Sequence, residues 1–217
     1  MTANTRTLLW ISTSFGAALI TAAATLAILG DGTSGTQEAL RITARLSFLL
    51  FWPAYAGGLF RRTNVPLLAR VAKLRREFGL SFVAAHSIHV LLILWLFHIA
   101  THQPVSTRTI ITDGFGILWM YVLGAFSFDY LRRKLSPQAW RVLFNLGLEY
   151  IALIFLRDFA RLDRAHSPAY LPFTILLLIA LIPRWVAGAY MIATWVRSSC
   201  ARLRQTAPLG LPFSRKP

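Results

Sequence analysis

Six stretches of this chain are long and apolar enough to be read as membrane crossings, and nothing else in the sequence constrains the fold as strongly. They cover about 8–30, 44–60, 79–101, 112–131, 140–160 and 171–196, the second being the shortest. A bilayer core about 30 Å thick takes roughly 20 residues of helix to cross. In hydrocarbon every backbone N–H and C=O must find a partner within the protein, which leaves helices or closed barrels. These stretches are too long for barrel strands. The expectation is an all-α membrane protein, a bundle of six transmembrane helices over 1–206 with a flexible cytoplasmic tail over 207–217. The first stretch contains the small-residue run TAAATLA, as signal peptides do. Its apolar length and the single preceding basic residue, Arg6, favour a retained helix.

Composition agrees. Of 217 residues 56% are hydrophobic and only 14% charged, yet the formal net charge is +15, and mean hydropathy is +0.55. The cations cluster at the ends of apolar runs and do not line a polar face. That pattern argues for anchoring beside anionic lipid and against nucleic acid as a partner. The single cysteine, Cys200, excludes an intramolecular disulfide framework and multi-cysteine iron–sulfur or zinc sites. No GxGxxG or P-loop motif is present, so the chain itself supplies no nucleotide or flavin domain.

Charge placement predicts orientation. With odd-numbered spans running outward, Arg6, the six cations from Arg61 to Arg76, the four from Arg132 to Arg141 and the five from Arg197 to Lys216 share one side. Arg41, Arg45, Arg108, Arg157, Arg161 and Arg164 face the other, near Asp31, Glu38, Asp158 and Asp163. The excess of Lys and Arg on one side places both termini in the cytoplasm, N-in/C-in, in a membrane of the bacterial inner (cytoplasmic) type. The basic segment 62–78 reads either as a solvated connector or as a short helix on the inner leaflet.

Polar groups inside hydrocarbon are costly, so they are the first functional candidates. His86, His89 and His98 lie on the third span and His102 at its outer end. Each alone is as readily a helix-to-helix hydrogen bond as a ligand; four together favour ligation. At 1.5 Å per residue, His86 and His89 share a face near the inner half. His98 and His102 share one roughly 18 Å further out. Two sites at different depths follow, and the outer pair reads as half of a metal site completed by a residue such as His166. Glu149 in the fifth span and Arg184 in the sixth fall at similar depth, near that of His89. An ion pair between them is expected, as structure first and as a proton relay second.

Three segments carry a family resemblance: ARLSFLLFWPAYAGGLFRR, LRREFGLSFVAAHSIHVLLIL and GFGILWMYVLGAFSFDYLRRKLSPQAWRVLF. With Arg75, Arg76, Gly79, Leu80 and His89 in the second, and Ser127, Arg132, Arg133, Leu135, Trp140 and Leu143 in the third, the chain resembles the ferric-reductase-like transmembrane family. Within it, the chain resembles the haem-binding membrane subunits of periplasmic methionine sulfoxide reductase systems. The resemblance covers roughly residues 40–160. It implies haem b as cofactor, with His89 the first candidate for iron ligand, followed by His102, His86 and His98. It further implies electron transfer across the membrane from a cytoplasmic flavin reductase or a quinol toward a periplasmic redox partner.

One departure stands against that pattern. The family places histidines on the helix after the Trp motif, where this chain has Phe144 and Arg157. Bis-imidazole ligation between the two helices is therefore not supported. The sequence leaves open haem with altered ligands, a haem-free degenerate member acting as a membrane scaffold or accessory protein, and a small proton-coupled transporter using His89, Glu149 and Arg184. A metal ion or quinone on the histidine-rich helix is the remaining option.

Overall fold

A computed structural model describes residues 3–60, 64–165 and 168–206, and all regular elements among them are helical. They are α1 (Ala3–Leu29), α2 (Thr33–Phe60), α3 (Pro66–Lys73), α4 (Arg75–Ile99), α5 (Thr107–Phe126), α6 (Asp129–Arg132), α7 (Pro137–Ala165) and α8 (Leu171–Thr206), with a 3-10 turn at Pro168–Tyr170 before α8. The expected tail over 207–217 lies outside the described residues, as do Arg61, Arg62 and His166. The chain divides into two compact units, Met1–Ala180 and Leu181–Pro217. In the second, the helix continues past Pro183 with Trp185, Val186 and Tyr190 exposed.

Among the described residues, five helical segments are long and apolar enough to cross a membrane: Thr5–Leu29, Arg75–Ile99, Thr107–Phe126, Pro137–Ala160 and Leu171–Tyr190. Helix α2 is as long but less apolar. Its burial gives the reason. Eleven of its residues, from Gly35 to Gly57, are buried against other helices, so less of its surface needs to be lipid-compatible. It also starts earlier than the apolar stretch implied. Residues 33–43, expected as an outer loop, are already helical, and the α1–α2 connection is three residues long. Gly30 permits that turn with φ +87°, and a Cβ on Gly35 would stand 1.9 Å from the Gly30 carbonyl oxygen.

Helices α1, α2 and α4 pack through small residues. Ala18 and Ala22 of α1 meet Ala39 of α2 and Ala85, Ile88 and Leu92 of α4. Small side chains let helix backbones approach, which is how helices associate where lipid removes the hydrophobic incentive. The hydroxyls of Thr13, Thr21 and Thr25 donate to carbonyls one turn back, so α1 carries them without unsatisfied groups.

A second layer is aromatic. Phe48 of α2 makes edge contacts with Phe155, Phe159 and Phe173 at 5.0–5.8 Å between ring centroids. Phe51 stacks on Tyr55 and touches Phe82. The Trp52 indole N–H donates to the Leu176 carbonyl at 2.6 Å, tying α8 to α2. Helices α5 and α7 pair through Tyr150, whose hydroxyl donates to the Thr112 carbonyl at 3.0 Å, and through close contact at Gly116 and Gly147.

Candidate functional site

The α2–α4 and α5–α7 pairs leave a cavity of about 740 Å³ between them, with His86 and His89 on its wall. That volume falls within the range of small-molecule and cofactor pockets. The lining is otherwise largely apolar: Phe82, Met120, Ile151 and Phe155 close the deep end, and Arg41, Asp113 and Asp158 also face the cavity.

One turn of helix puts the two imidazoles on the same face of α4. Their rings stack at 4.8 Å between centroids with 28° between planes. The shared face anticipated from the sequence is thus present. Nδ1 of His89 lies 3.0 Å from the Thr43 hydroxyl of α2. That hydroxyl has one proton, which it donates to the Ala39 carbonyl at 2.8 Å. With its proton on that carbonyl it accepts from His89, the tautomer in which Nδ1 carries the ring proton and Nε2 keeps its lone pair. A histidine held through one nitrogen and unprotonated at the other is arranged as a ligating histidine is. Nδ1 of His86 is buried and has no hydrogen-bond partner among the described protein atoms.

The other candidates are placed elsewhere. His98 is exposed near the end of α4, its ring 5.7 Å from that of Trp95, and His102 is exposed beyond the helix. Neither lines the cavity, so the structure brings His86 and His89 together and leaves His98 and His102 apart from them. No group of three or more His, Cys, Asp or Glu side chains among the described residues is set to hold a metal ion. Glu149 accepts a hydrogen bond at 2.7 Å from the hydroxyl of Tyr55, a fully buried α2 residue. Arg184 is half-buried in the unit that begins at Leu181.

The two positions where the resemblance places histidines have other work here. Phe144 packs on Trp140 at 5.1 Å and lies under the Arg75 guanidinium at 4.8 Å. Arg157 joins Asp113 of α5 to Asp158 of its own helix and donates to the Thr112 hydroxyl at 2.7 Å. Two imidazoles bind one haem iron from opposite faces of the porphyrin. His86 and His89 stand side by side on one helix, so at most one of them would hold a haem iron in this cavity.

Several participants escaped the sequence reading. Thr43 fell in the expected outer loop just before the second stretch, Tyr55 within that stretch, and Asp113 near the start of the fourth. No signal in the sequence marked Thr43, which becomes part of a helix only because α2 begins at Thr33. Comparison of the chain with protein-family models, curated proteins and solved structures returns no match.

Proposed function

We propose that the chain is a membrane-embedded redox subunit whose central cavity holds haem b on a single histidine, His89. The observation that carries this reading is the Thr43–His89 contact on the wall of a cavity of cofactor size, an arrangement that leaves Nε2 free to ligate when Nδ1 donates to Thr43. When bound, the haem supplies one-electron chemistry. The chain's own residues hold and orient the ligating ring through Thr43, wall the site with Phe82, Ile151 and Phe155, and offer the Met120 thioether as a soft donor on the same cavity.

In this reading α2 is the sixth span, central and shielded by its neighbours, and both termini face the cytoplasm of a bacterial inner membrane. Electrons enter from a separate flavin reductase or a quinol and leave toward a periplasmic partner. The ferric-reductase-like pattern around Arg75, Arg76, His89 and Trp140 supports this assignment. The loss of the family's second histidines makes it a mono-histidine variant.

A second reading rests on the buried, unpartnered Nδ1 of His86. A haem on His89 gives that atom no hydrogen bond, whereas a quinone oxygen does, and the paired imidazoles then form one wall of a quinone site.

Absorbance of the purified protein from haem-replete cells tests both. A Soret band lost in His89→Ala and kept in His98→Ala supports haem on His89. A colourless protein that binds a quinone analogue, with binding lost in His86→Ala, supports the second reading. A colourless protein that binds neither leaves the scaffold role.

A further inference from the structure

A second cavity, of about 570 Å³, lies on the other side of Phe82, Met120 and Ile151, which line both cavities. Its character is different. Five cations line it: Lys73, Arg75, Arg76, Arg132 and Arg141. They converge from α3, α4, α6 and α7. No carboxylate lines it among the described residues. Glu77, the acid nearest these arginines in sequence, is turned to Arg6 on α1. The deeper lining is apolar, with Phe51, Val83, Leu123 and Leu148.

Five like charges around one opening repel one another and are held there by the fold. Arg75 is fixed in place: its Nε donates to the Ala54 carbonyl at 2.6 Å and its guanidinium rests on the Phe144 ring. An opening that is cationic at the rim and apolar within matches a ligand that is anionic at one end and apolar at the other. In a protein read as lying in lipid, that description fits a phospholipid with an anionic phosphate headgroup. Basic pockets at the ends of membrane helices recognise such headgroups by charge-assisted hydrogen bonds.

We propose that this cavity is a specific site for one anionic phospholipid, with the phosphate among the five cations and an acyl chain against the Phe51–Leu148 wall. The proposal is independent of what the histidine cavity binds.

The test compares two double variants of the protein in detergent, each removing two charges. Arg132→Gln with Arg141→Gln takes both from the cavity rim. Arg133→Gln with Lys134→Gln takes both from exposed side chains that do not line it. Native mass spectrometry with dioleoyl phosphatidylglycerol and dioleoyl phosphatidylcholine reads retained lipid. The expected result is one phosphatidylglycerol held in preference to phosphatidylcholine. The rim variant weakens it by about 30-fold, from about 1 kcal/mol per basic residue, and the control variant leaves it unchanged. Equal weakening in both variants means diffuse charge attraction and overturns the site. Equal retention of the two lipids also overturns it. If glycerol 3-phosphate displaces phosphatidylglycerol at matched concentration, the apolar half is not engaged and the lipid assignment fails.

Discussion

Nδ1 of His89 and the hydroxyl of Thr43 lie 3.0 Å apart across the α2–α4 contact, and with the Thr43 proton on the Ala39 carbonyl of its own helix His89 is the donor between them. Thr43→Val keeps the shape and removes the acceptor. The His89 ring then keeps only its hydrogen bond to the Leu40 backbone, at a cost of about 1 kcal/mol for the bond lost, and its orientation is less tightly held. Affinity for the metal of a ligated cofactor is expected to fall by about 10–100-fold, as when an outer-shell partner is lost. Thr43→Ser restores both. Haem titration and thermal unfolding of the purified variants check this; a Thr43→Val protein as stable and as haem-retentive as the parent would remove Thr43 from the site.

Gly147 sets how closely α7 approaches α5. A Cβ there would stand 2.8 Å from both Leu123 Cδ1 and the Trp119 ring carbon Cε3. Leucine can turn aside, but an indole lodged between helices has little room. Gly147→Ala is expected to destabilise by about 1–3 kcal/mol, the usual range for overpacking. Gly114→Ala serves as the control, since a Cβ at Gly114 meets nothing within 4 Å. Melting temperatures in one detergent, compared across parent and both variants, measure the difference.

Arg157 holds Asp113 and Asp158 together on the lining side of the histidine cavity, with its side chain 31% exposed and that of Asp113 32% exposed. Partial exposure limits the value of the pair. A double-mutant cycle through Arg157→Gln and Asp113→Asn is expected to give a coupling of about 1 kcal/mol. Added salt should reduce it. A coupling indistinguishable from zero at low salt would mean that the Arg157–Asp113 ion pair contributes nothing to the α5–α7 contact.

The helical architecture was legible because lipid permits few alternatives and apolar runs of this length report it directly. Helix α2 was half legible. Its apolar stretch from 44 marked a span, but its first turns carry Glu38 and Arg41 and read as loop. They are helical because Gly30 turns the chain sharply and Ala39 and Thr43 find partners on α1 and α4, contacts made by residues distant in sequence. The pairing of His86 and His89 was legible from helical spacing, since both belong to one element. What faces them was not. Thr43, Met120 and Asp113 come from other helices, and no periodicity within a segment encodes which residue of another helix lies opposite. The same holds for Glu149: its depth pointed to a polar neighbour, but the Tyr55 hydroxyl that bonds it comes from a position that reads as apolar core.

The pair between Arg6 and Glu77 gives the last prediction, an asymmetric one. Glu77 is 4% exposed, whereas the Arg6 side chain is 50% exposed. Arg6→Gln leaves a carboxylate buried without its cation, at a cost of about 1–3 kcal/mol. Glu77→Gln leaves a guanidinium that already reaches solvent and replaces the acid with a neutral amide, so it should cost less than about 1 kcal/mol. The two effects are not additive, because the penalty in Arg6→Gln comes from the charge that Glu77→Gln removes. The double variant is therefore expected to melt higher than Arg6→Gln alone and close to Glu77→Gln. If the double variant is instead the least stable of the three, the contact is held by side-chain packing and not by compensation of a buried charge.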